Sequence, residues 1–134
     1  MRAHSTTMIE NKHYTEIGVL SPDGRFLAVP GGSNTVVVLD ATTKEPWVTY
    51  HGHQAGVYRR VAGTIKALAW LPDGSSIASG STDGSIHIWH GRTGIHQRTL
   101  TQPQEGCAVL ALTLSHDGCL STLRRKDVNT WQLC

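Results

Sequence analysis

The sequence predicts an all-β chain built from repeats of one four-stranded antiparallel meander, and three observations predict it. Within 65–101, short alternating or β-branched runs are separated by Pro72-Asp73-Gly74, Asp83-Gly84 and Arg92-Thr93-Gly94. Proline presets φ for a turn and glycine tolerates φ > 0, so these are hairpin signals, and their spacing leaves no room for a helix. The same pattern stands upstream without a gap, with Asp23-Gly24 falling on Asp73-Gly74, Val36 on Ile86 and Leu39 on Trp89. It recurs downstream, where Asp117-Gly118 falls on the same turn and Trp131 on Trp89, with a shorter third hairpin.

Taken in order, residues 1–14 are a leader or a lone strand, since 5–10 (Ser-Thr-Thr-Met-Ile-Glu) carries β-branched residues. The first unit, 15–53, holds strands at 17–20, 26–29, 35–40 and 46–50. Residues 36–39 are apolar at both parities, as a strand buried on both faces requires. Asn34 takes the place of Gly84 at the turn, where it tolerates the left-handed region. A long connection, 54–64 (Gln-Ala-Gly-Val-Tyr-Arg-Arg-Val-Ala-Gly-Thr), leads to the second unit, 65–103, with strands at 65–70, 75–80, 85–90 and 95–101. The third unit, 104–134, is incomplete and stops after its third strand.

Self-similarity at this period, one meander per repeat, is the signature of propeller blades. The sequence resembles the WD-repeat family of β-propellers through Gly52-His53, Leu71-Pro72-Asp73-Gly74, the run 78–84 (Ala-Ser-Gly-Ser-Thr-Asp-Gly) and Ile88-Trp89. His90 stands where the family has aspartate. The first repeat, with Leu39-Asp40 and no tryptophan, looks closer to the YVTN-type propeller repeat. The third has Trp131-Gln132, and Gln104-Glu105 where Gly-His would fall. The resemblance implies a partial β-propeller of three four-stranded antiparallel blades, the last incomplete.

Bulk properties are those of an ordinary soluble domain: 134 residues, 39% hydrophobic and 16% charged. A net charge of +2 is too small for a general nucleic-acid field, so any basic surface must come from local clustering. Cys107, Cys119 and Cys134 show no C-x-x-C spacing and read as free thiols in a reducing compartment. No apolar run has signal-peptide or membrane-span character, so a cytoplasmic address is expected.

Ser79, Asp83 and His53 are the parts of a hydrolase triad, but no nucleophile-elbow sequence accompanies them. The WD-repeat resemblance instead assigns His53, Ser79, Asp83 and Trp89 to a structural network in which Asp accepts from His, His meets Ser, and Ser meets the indole. The resemblance also puts the 54–64 connection and the second hairpin of each blade on one rim. There Tyr58, Arg59, Arg60, Arg124, Arg125 and Lys126 could converge, either as solvated charges or as a patch for an acidic peptide, a phosphorylated segment or a nucleic-acid backbone. His51 with His53, or His87, lacks a Cys or carboxylate at ligand spacing, so no metal is expected. No phosphate-gripping glycine loop precedes a helix, and no cofactor is expected.

Three blades do not close a ring, since propellers use about four to eight. Either the chain is a fragment of a longer propeller, which we favour, or two copies supply six blades, with the segment near 6–10 of one completing the third blade of the other. The sequence therefore reads as a non-enzymatic scaffold for protein–protein interaction, with a non-catalytic binder of nucleic acid or acidic ligands as the alternative.

Overall fold

A computed structural model describes residues 18–55, 63–102, 107–115, 118–124 and 128–132. Among them the chain forms eleven strands and one 3₁₀ turn, Gly52–Ala55. The first blade is β1 (Val19–Leu20), β2 (Phe26–Pro30), β3 (Val36–Asp40) and β4 (Pro46–Tyr50), hydrogen-bonded in that order. The middle blade is β5 (Ile65–Trp70), β6 (Ser76–Ser81), β7 (Ile86–His90) and β8 (His96–Thr101), again in sequence order. The third is a three-stranded sheet of β9 (Val109–Leu114), β10 (Cys119–Arg124) and β11 (Val128–Gln132). All pairings are antiparallel. Strands β4 and β5 have the expected bounds, whereas Ser75, Ser85 and Ile95 fall outside their strands, their N–H groups held by the side chains of Asp73, Asp83 and Thr93.

Those turns follow from the residues in them. Asp73 Oδ1 accepts from the backbone N–H of Ser75 (2.8 Å) and Ser76 (3.0 Å), and Gly74 takes φ 76° to let the chain reverse. Asp23 does the same in the first blade, accepting from Ser21 Oγ–H and Arg25 N–H, with Gly24 at φ 75°. Between β2 and β3, Ser33 and Asn34 both have positive φ, 57° and 65°, in the 32–34 connection that the Gly31 N–H closes on the Thr35 carbonyl at 2.8 Å.

The blades stack face to face. Phe26, Ala28, Val36, Val38 and Tyr50 of the first pack against Ile65, Leu68, Trp70, Ile77 and Trp89 of the middle blade in one buried cluster. The second seam joins Ala67, Ile86, Ala78 and Ile88 to Val109 and Leu120 of the third blade. Strand β6, with a seam on each side, is buried throughout. In the doubly apolar run 36–39, Val36, Val38 and Leu39 are buried and Val37 half-buried, the outer face closed within the first blade by Leu27, Val29 and Leu39. Across the first seam Trp70 Nε1–H donates to the Val19 carbonyl at 2.8 Å, and Trp47 Nε1–H to that of Arg92 at 3.1 Å.

Candidate functional site

The polar residues singled out in the sequence meet at one end of the first seam. Gly52 and His53 lie in the 3₁₀ turn after β4, and Gly52 sits flush against the Tyr50 ring, where a Cβ would collide with the phenol oxygen. The His53 ring is buried against Ser79 of β6 and Ser85 of the β6–β7 turn. Ser79 on β6 and Trp89 on β7 are fully buried beside it.

A single chain of hydrogen bonds runs through them. Trp89 Nε1–H donates to Ser79 Oγ at 3.0 Å, and Ser79 Oγ lies 2.7 Å from His53 Nε2. On the other side of the ring, Nδ1 lies 2.7 Å from Ser85 Oγ, whose hydroxyl donates to Asp83 Oδ1 at 2.6 Å. Asp83 is therefore reached from His53 through the Ser85 hydroxyl and is not the ring's immediate partner. The polarity of the whole chain follows from its last member. Burial pushes the Asp83 carboxyl up, but hydrogen bonds from the Ser85 side chain and backbone and from Asn34 outweigh it and hold the group below its usual range. The ionised carboxylate only accepts, so Ser85 O–H points to it, His53 carries its proton on Nδ1, and Ser79 O–H points to Nε2.

The first blade reaches into this network. Asn34 Nδ2–H donates to Asp83 Oδ2 at 3.0 Å, and Asn34 Oδ1 accepts from Ser81 Oγ–H at 2.7 Å. Tyr50 of β4 stacks on Trp89 with centroids 4.3 Å apart and planes within 1°. Its hydroxyl lies 2.7 Å from His87 Nδ1, and the His87 ring stacks on His53 at 4.0 Å. Burial, with the neighbouring His87 second, lowers His53 to about 3. His87 is lowered to about 4, again chiefly by burial and then by His96.

As a nucleophile Ser79 is out of reach, because it is fully buried with its oxygen held between the Trp89 and His53 rings. Among the described residues no group of three or more His, Cys, Asp or Glu side chains could hold a metal ion. Of the six residues expected on a basic rim, Arg124 alone is described, and it is not a surface residue. It is the last residue of β10, on the parity of Leu120 and Thr122, and with them it is buried at 8% exposed. Strand alternation runs to Arg124 and takes it off the rim expected from the resemblance. Tyr58, Arg59, Arg60, Arg125 and Lys126 lie outside the described residues.

The residues not foreseen are Ser85, Asn34, Ser81, Tyr50 and His87. A signal existed for Ser85, since a hydroxyl directly after Asp83-Gly84 can satisfy the aspartate. The cross-seam partners left no signal in sequence spacing.

Comparison with known proteins bears on the fold of these blades. Residues 44–90 match the family model described as WD domain, G-beta repeat, which runs from β4 through the His53 turn to the end of β7. The COMPASS component SWD1 of Saccharomyces cerevisiae is 34% identical over 84 residues, 63% of this chain and 19% of that protein. The APC/C activator protein CDC20 of the same yeast is 36% identical over 88 residues, 62% of this chain and 13% of that protein. The chain thus spans about a fifth or less of the length of these relatives. Among solved structures, the RRP9 WD40 repeats superpose with a TM-score of 0.70 at 23% identity, covering 88% of this chain and 33% of that one. The Cps50 (Swd1) β-propeller domain of Myceliophteria thermophila gives 0.67 at 20% identity, covering 86% and 33%.

Proposed function

From the premise that residues 44–90 are a WD repeat within a run of propeller blades, we propose that the chain is a non-catalytic scaffold that docks a protein or peptide partner on its loop rim. One observation carries the reading. The side chains that could do chemistry, His53, Ser79 and Asp83, are consumed in holding two blades together, while the connection after β4 and the turns at 31–34 and 82–84 meet at the same end of the sheets. A rigid scaffold presenting loops is a binding architecture. The relatives are consistent with it, since two carry the name of COMPASS components.

Three blades amount to about a third of the solved propellers they match. We therefore read the ring as completed by further blades, supplied by a longer chain or by a second copy. Light scattering on the 134-residue chain separates the two: a discrete dimer supports the second copy, and aggregation supports a missing remainder.

The rim reading is tested by reversing charge at Arg59, Arg60, Arg125 and Lys126, with circular dichroism as the control for folding. Loss of binding to an acidic phosphopeptide, with binding retained by the parent chain, supports the patch. Affinity for arbitrary DNA that falls steeply between about 50 and 200 mM salt would favour the nucleic-acid alternative. Binding unchanged by the four substitutions removes the patch from the account.

A further inference from the structure

We infer that the seam between the first and middle blades is an acid-sensitive latch, which shuts only when the stacked rings of His53 and His87 are both neutral. The inference is independent of what the rim binds. His53 and His87 lie ring on ring at 4.0 Å and 11°, with Tyr50 edge-on to both at 5.9 and 5.8 Å. A proton on either ring would set a cation against the face of another imidazole in a buried, aromatic-walled site.

The hydrogen bonds oppose the proton as well. His53 Nε2 accepts from Ser79 O–H. Protonating that nitrogen would turn the hydroxyl away, with Trp89 N–H already on its oxygen. Ser79 is fully buried, so its displaced hydrogen would have to find an acceptor inside the seam. The groups facing the pair offer little compensation. Asp83, from the β6–β7 turn, is separated from His53 by the Ser85 hydroxyl and already accepts from Asn34. His96 of β8 stands edge-on to His87 at 5.2 Å with its Nε2 against Thr99 Oγ1, and Tyr50 of β4 brings a phenol that burial keeps neutral.

The sign follows from linkage. Both folded values, about 3 and about 4, lie below the ordinary 6.5, so the open seam binds more protons than the shut one. Stability is complete above about pH 6.5 and is lost as pH falls toward those folded values. Between about pH 7.5 and pH 5, one released imidazole raises the opening equilibrium about 30-fold, and two raise it about 800-fold.

Cysteine labelling reads this opening directly. Val38 faces the first seam and Val109 the second, and both are fully buried. Val38→Cys and Val109→Cys are labelled with a thiol reagent, read site by site by mass spectrometry, and corrected for the rate of a free peptide thiol at each pH. Labelling at position 38 is expected to rise several-hundred-fold from about pH 7.5 to 5, and at 109 less than about threefold. Adding His87→Gln, which keeps an acceptor for Tyr50 but cannot titrate, should cut the rise at 38 to about 30-fold. A flat profile at 38, an equal rise at both seams, or a rise untouched by His87→Gln overturns the latch. Ring nitrogen-15 NMR on the unmodified chain gives a second test: both rings should be neutral at about pH 5.5, His53 in the Nδ1–H form, and a charged signature from either overturns it.

Discussion

At Ser79 one hydroxyl oxygen serves two buried partners, the Trp89 indole and the His53 ring, and that sharing makes the residue costly to replace. Ser79→Ala strands both groups, so a loss of about 2 kcal/mol is expected in urea denaturation, with the far-ultraviolet spectrum retained. Asn34→Ala removes the side-chain bonds to Asp83, Ser81 and the His53 carbonyl and leaves alanine at a φ of 65°. Its cost should be about 2 kcal/mol, backbone strain included, and a double-mutant cycle with Asp83→Asn should show coupling, because the two side chains touch at 3.0 Å. Additivity within about 0.3 kcal/mol would mean that the bond contributes nothing. His53 itself was legible, since Gly-His before a repeat is a strong local mark. Its true neighbours were not: Ser85 relays to Asp83, and His87 and Tyr50 arrive from strands that the spacing alone does not bring together.

At the scale of the element, turn chemistry decides the hairpins, and it is local enough to be read from the chain. Gly74 sits at φ 76° in open space, so Gly74→Ala meets no atom yet should lose about 1 kcal/mol from backbone strain. Gly32 is also in open space, without a positive φ, and Gly32→Ala should be neutral or slightly stabilising. Paired thermal melts check the contrast, and equal shifts would mean that the φ assignment carries no energy. Strand β10 shows how the same local reading fails. The resemblance puts 124–126 at the second hairpin, on the rim, but alternation from Leu120 through Thr122 takes Arg124 to the buried side of the sheet.

For the whole molecule the seams set stability, because each blade is too thin to bury its apolar faces alone. Leu120, fully buried in the second seam, and Leu123, 45% exposed on the opposite face of the same strand, make a direct comparison. Leu120→Ala should cost about 3 kcal/mol and Leu123→Ala less than about 1, measured as denaturation midpoints. Similar losses at both would show that the third blade is not packed on the middle one as described.

The sequence by itself determined the strands, the hairpins and the propeller class, because a turn is specified by the two or three residues in it and a strand by its neighbours' alternation. Tertiary structure alone decided which polar groups share a proton path. The links Asn34 to Asp83 and Tyr50 to His87 join residues of different blades. Only the stacking of one twisted blade on another sets those distances, and no pattern within either blade encodes them.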